Sequence, residues 1–165
     1  MATTNNTNHA QENARGHLEQ ISQLHRLAEW AQDDSQPASE LAWPDRARLR
    51  ELAPKGDDLS PFAHRGRDGL LEAIEQEARE QPLSIEVRSA WHTPDEQPDE
   101  QLDEWRILLS TGGPALRLRG DFDRHGEPTD PAMEYQDWGT PWIEEDTDGD
   151  QQGALCWFAG LFFPS

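Results

Sequence analysis

The chain has 165 residues, with 33 Asp plus Glu against 14 Lys plus Arg and a formal net charge of −19. That balance argues against a phosphate-backbone binder, whose affinity comes from cations neutralising phosphates, and against an anionic-membrane binder, which needs basic clusters. The length suits one domain of ordinary size, and 34% hydrophobic residues allow a modest core.

Residues 1–11 are polar and aperiodic, so a disordered tail is expected there. Over residues 12–34, Ala14, Leu18, Ile21, Leu24, Leu27, Ala28 and Ala31 recur at three- and four-residue steps. This predicts an amphipathic helix, which must bury its stripe on the rest of the chain or on a partner. Residues 35–66 read as a linker or partly ordered region. Within it a short helix with Pro44 at its first position has a weak apolar side in Ala47, Leu49, Leu52 and Ala53. From residue 67 to 165 the pattern is that of an α+β domain. Its first helix has Asp68 as a candidate cap and Leu70, Leu71, Ile74 and Ala78 on one face, and Gln81-Pro82 stops it.

At Leu83 the period changes to two. Leu83, Ile85, Val87, Ser89 and Trp91 alternate with polar or small residues, which predicts a half-buried strand. An acidic insert leads to a second strand at residues 105–110. Leu116, Leu118 and Phe122 mark a third, with Arg117, Arg119 and Asp121 opposite, and residues 132–138 form a fourth. Residues 153–163 are apolar all round; their length favours a buried helix, with a final strand at 161–163 as the alternative. The expected fold is α+β: a four-stranded antiparallel meander with helices on one face, preceded by the amphipathic helix.

The charge is uneven, since −13 of it lies after residue 80. The dense stretches are Asp95, Glu96, Asp99 and Glu100 in one loop and Glu144, Glu145, Asp146 and Asp148 in another. Three readings compete: a solvated, salt-adapted surface; a face that imitates a phosphate backbone for a basic partner; and a metal site. The stretch from Asp146 to Asp150 matches only the start of a calcium loop. The match fails where Gln151 replaces the glycine and Trp157 the terminal glutamate. No metal or cofactor set is assigned.

Catalytic constellations are sparse. His92 ends the first strand and Asp137 ends the fourth, so a cleft between strand ends would bring an acid–base pair together for a small hydrolase. The competing reading has Trp91 and Trp138 packing the sheet while His92 and Asp137 satisfy turn backbone. No nucleophile elbow, phosphate loop or dinucleotide fingerprint is present, and no catalytic residue is assigned. Cys156, the single cysteine, lies in an apolar run and reads as a small buried hydrophobe. Trp105 and Trp157 fit the core. Trp138 and Trp142 flank a Gly/Pro turn, either as a rigid corner or as an aromatic contact surface. Residues 1–8 carry neither a basic nor an apolar segment, so no export signal is read and a cytoplasmic location is expected.

The segments Leu83-Ser84-Ile85-Glu86-Val87-Arg88-Ser89-Ala90-Trp91-His92, Ile107-Leu108-Leu109-Ser110-Thr111-Gly112-Gly113-Pro114-Ala115 and Glu134-Tyr135-Gln136-Asp137-Trp138-Gly139-Thr140-Pro141-Trp142 resemble a functionally uncharacterised family of small bacteriophage and prophage proteins. The resemblance spans residues 83–163, and residues 1–66 depart from the family pattern. It carries over no catalytic residue. What it implies is a mobile-element setting in which the chain meets host defence, replication and transcription proteins. The expected function is thus a non-enzymatic accessory protein that works by protein–protein contact with a host or phage protein. A sharper alternative is an acidic DNA mimic blocking a basic host restriction or CRISPR-type nuclease. Either contact would run through Asp95, Glu96, Asp99, Glu100, Glu144, Glu145, Asp146, Asp148, Trp138 and Trp142.

Overall fold

The computed structural model describes residues 3–33, 35–53, 64–89 and 102–163. Among them the chain forms four helices and five strands: α1 (Thr3–Gln32), α2 (Trp43–Leu52), α3 (His64–Arg79), β1 (Ser84–Arg88), β2 (Glu104–Ser110), β3 (Ala115–Phe122), β4 (Pro128–Gln136), β5 (Ile143–Glu144) and α4 (Gly149–Gly160). The strands follow one another as an antiparallel meander, β1-β2-β3-β4-β5. The fold is therefore α+β, with one strand more than expected. Ile143 and Glu144 pair with Tyr135 and Glu134 in a stretch read from sequence as loop, because two residues are too few to show a period.

α1 starts at Thr3, so residues 3–11 are helical rather than a disordered tail. Buried Ala10 and Ala14 extend the apolar stripe backwards through a polar sequence. Leu18, Ile21, Leu24, Leu27, Ala28 and Ala31 continue it, and the stripe packs on α3, α4 and β4. Its target is the rest of the chain. Each such Leu or Ile contributes about 1.5–3 kcal/mol relative to exposure, so α1 is central to the core rather than an appendage to it.

α2 occupies part of the stretch read as linker. Pro44 sits in its first turn, Leu49 is buried, and buried Asp45 accepts from Gln23 Nε2 (3.0 Å) and Arg26 Nε (3.2 Å) of α1. α3 begins at His64, a turn before Asp68, so Asp68 lies inside the helix and is not its cap. Leu70, Ile74 and Ala78 are its buried face. The C-terminal run is helical, and α4 begins earlier than its apolar residues. Asp148 accepts from Gln151 N (2.9 Å) and Gln151 Oε1 accepts from Asp148 N (2.9 Å), a reciprocal cap.

The sheet has two unlike faces. Trp105, Ile107 and Leu109 of β2, Leu116 and Leu118 of β3, and Met133 and Tyr135 of β4 are buried on the helix side. Among the described residues the other face carries no helix. There the residues between them project: Glu86 and Arg88 of β1, Glu104 and Arg106 of β2, Arg117 and Arg119 of β3, and Glu134 of β4.

Candidate interaction surface

The helix-free face explains where the scarce cations of the second half went. Residues 81–165 contain five basic residues, and four of them, Arg88, Arg106, Arg117 and Arg119, line this face. With Glu86 and Glu104 they border a shallow depression of about 420 Å³. Each guanidinium is matched to a carboxylate. Arg88 pairs with Glu104 and Arg106 with Glu86, while Arg117 and Arg119 both donate to Glu134, each from Nε at 2.7 Å. Arg119 also reaches Glu144 at 3.2 Å, and Arg117 stands 4.0 Å over the ring of Trp142. The face is a neutral ladder of cross-strand pairs, which is how a solvated sheet surface satisfies long charged side chains. It offers an anion no net positive charge.

Glu134 is the buried member of that ladder. Burial opposes its charge, but the hydrogen bonds from Arg119 and Arg117 outweigh burial and hold the carboxyl below the ordinary glutamate value. A depressed folded-state value gives stability that is fully present above the unfolded glutamate range and is lost as pH falls through the folded value. Glu134→Gln is expected to be less stable than the native chain at neutral pH, with the two converging as the solution is acidified. Urea unfolding across a pH series reads the difference; a gap independent of pH would contradict it.

The acidic stretch 144–150 is largely committed to the fold. Glu145 is buried, accepts from Arg15 Nε (2.7 Å) and Gln11 Nε2 (3.0 Å), and ties the loop to α1. It cannot face a partner, which corrects its place among the contact residues. Asp148 caps α4 and Glu144 is paired to Arg119, leaving exposed Asp146 and Asp150 as the acids of that stretch with no side-chain partner among the described contacts. Asp95, Glu96, Asp99 and Glu100 lie outside the described residues.

Trp138 and Trp142 are also placed differently from each other. Trp138 is 77% exposed, yet its indole N–H donates to Gly112 O (2.9 Å) and its ring lies against Gly113. A Cβ at Gly113 would come within 2.1 Å of Trp138 Nε1, and Gly113 also has φ +89°, so the turn requires glycine on both counts. Trp142 is half-buried under Arg117.

His92 and Trp91 lie outside the described residues. Asp137 is engaged in its own turn: its Oδ1 accepts from Trp138 N (2.8 Å) and its N–H donates to Thr140 Oγ1 (3.1 Å). Among the described residues no group of three or more His, Cys, Asp or Glu is arranged to hold a metal ion, and no helix is long and apolar enough to cross a membrane. Cys156 is exposed rather than buried, because it sits opposite Ala154, Leu155, Phe158 and Ala159 on α4. Partial burial and then the charge of Asp130 push its thiol up, away from the thiolate a nucleophile needs. Trp157 is half-buried and packs on the His25 ring, centroids 5.5 Å apart.

The least satisfied surface is one that sequence reasoning read as half-buried. Among the described residues β1 is the edge strand of the sheet, and all five of its residues are exposed. Ile85 and Val87 point to the helix side, opposite Ile107 and Trp105, but α1 and α4 lie over β3 and β4 and leave them uncovered. Of the seven large hydrophobic side chains exposed among the described residues, Leu83, Ile85, Val87 and Leu102 sit on β1 or beside it. Leu102 is held there because the next residue, Asp103, donates its N–H to Arg88 O (2.9 Å). An edge strand presents unpaired backbone groups, and apolar residues clustered on it mark a contact site. Comparison with protein families, with curated proteins and with solved structures finds no match for this chain.

Proposed function

We propose that this chain is a non-enzymatic protein–protein interaction module and that its contact element is the β1 edge. The observation that carries the reading is the exposure of Leu83, Ile85 and Val87 on an edge strand beyond the cover of the helices. Extended segments add to such edges through main-chain hydrogen bonds, with alternate side chains supplying specificity. The resemblance of residues 83–163 to small bacteriophage proteins supports a host or phage protein as the partner and an accessory role for the complex. The committed roles of Glu145, Asp148 and Glu144 count against phosphate mimicry by the 144–150 stretch.

The test is capture with the full chain as bait, comparing the native protein with Val87→Lys. A charge on the edge blocks strand addition, and Val87 is 46% exposed, so the fold tolerates it. The expected result is a captured protein that is lost with Val87→Lys and kept with Trp138→Ala. Equal capture by both variants and the native chain rules the β1 edge out. Capture of a basic nuclease that weakens steeply with salt and ignores Val87→Lys would favour the DNA mimic instead.

A further inference from the structure

We propose that the β1 edge pairs with the β1 edge of a second copy of this chain, antiparallel about a two-fold axis at Val87, joining two five-stranded sheets into one. The proposal rests on the reading of the β1 edge as a contact element and places a second copy of this chain there, in place of a different protein. In this register Val87 faces Val87 of the second copy and Ile85 faces Ser89. On the helix-free face Glu86 faces Arg88 of the second copy, and Arg88 faces its Glu86.

Charge selects the register. Within one chain Glu86 is paired to Arg106 and Arg88 to Glu104. Across the seam the row becomes Arg106, Glu86, Arg88 of the second copy and Glu104 of the second copy, with signs alternating throughout. Opposite charges facing each other across strands stabilise, and like charges destabilise. Centring the axis on Glu86 would set Glu86 against Glu86. Centring it on Ile85 would set Glu86 against Ser84 and Arg88 against Pro82, leaving both charges without a partner across the seam. An interface in which each copy supplies the same patch is the commonest route to a dimer. The exposed Ile85 and Val87 of both copies would share the helix side of the seam and cover one another.

The net charge makes a further demand. Two chains of −19 repel, so this dimer must tighten as salt screens them, opposite to a complex with a basic partner.

Sedimentation of the full chain over a concentration and salt series tests the proposal. The expected result is a monomer–dimer equilibrium that shifts to dimer with salt and is abolished by Val87→Lys. Glu86→Arg and Arg88→Glu, each alone, turn both seam pairs repulsive and should weaken self-association by at least about tenfold. Mixed together, these two variants should associate with each other, because Arg at 86 then meets Glu at 88 and Arg88 meets Glu86. Circular dichroism checks that each variant is folded, and Val87→Lys carries the test where a charge variant is not. A chain that stays monomeric at high salt overturns the proposal, as does a dimer indifferent to the charge variants. A monomer that still captures another protein through Val87 overturns self-pairing and leaves the interaction reading standing; a monomer that captures nothing through Val87 overturns both.

Discussion

Trp105→Ala lowers the unfolding free energy by about 3–5 kcal/mol, the range for a large aromatic removed from a core. Trp105 is fully buried in β2, and its indole N–H donates to Asp121 O (2.9 Å) on β3. Directly opposite it on β3 stands Gly120. A Cβ there would lie 2.4 Å from Trp105 Cζ2 and 2.5 Å from Thr129 O, so the indole occupies the space that a side chain at 120 would need. Phe163 closes the other side, with ring centroids 5.9 Å apart. The loss is therefore mainly a cavity, because Asp121 O keeps its hydrogen bond from Thr129 Oγ1 (3.2 Å). Urea unfolding measures it, and Trp105→Phe should lose less because it keeps most of the volume. Since domains are stable by only about 5–15 kcal/mol, the phenylalanine variant also secures the measurement if alanine unfolds the chain. A loss below about 1 kcal/mol for alanine would refute this account of the core.

The second large effect belongs to Arg67. It is a buried arginine on α3 whose guanidinium lies 4.4 Å from the centre of the Trp30 ring. It donates to Asp33 O, to Gln36 O (2.7 Å) and, more weakly, to Trp30 O (3.4 Å). Trp30 Nε1 donates to Gln36 O as well (3.0 Å). Arg67 thus supplies donors to the carbonyls at the end of α1, where the helix dipole is negative. Arg67→Ala should cost about 3 kcal/mol, the scale of charge-assisted hydrogen bonds removed from a buried site. Arg67→Lys keeps the charge but not the fork and should recover less than half of that. Hydrogen exchange should show the loss of protection concentrated near residues 30–36, and uniform loss across the sheet would contradict the local role.

The helices and strands that could be read in the sequence are those with enough residues to show a period. The stripe from Leu18 to Ala31 and the alternation from Leu83 to Val87 both translate into elements. β5 did not, because Ile143 and Glu144 make no pattern. The start of α1 did not either, since only Ala10 interrupts a polar run. Alternation also says which face a residue points to, and nothing about whether that face is covered. Ile85 and Ile107 carry the same signal and are direct neighbours, yet Ile107 is buried and Ile85 is 42% exposed. The same limit applies to charge. Glu144 and Glu145 are indistinguishable in sequence, while one takes an arginine on the sheet face and the other is buried against α1. Arg88, Arg106, Arg117 and Arg119 were legible in principle, since four cations in outward phase on successive strands is a pattern that the overall acidity obscured.

The position of α1 bears on how the chain is made. Its stripe is satisfied partly by α3 but also by β4 and α4, and Gln32 precedes Pro128 by 96 positions. At ordinary synthesis rates that separation corresponds to roughly 5–20 s. For that interval Ile21, Leu24 and Leu27 have left the ribosome while much of their cover does not yet exist. Of the four helices α1 is made first and is among the last to be completed by its neighbours, so during translation its apolar stripe waits for partners made much later.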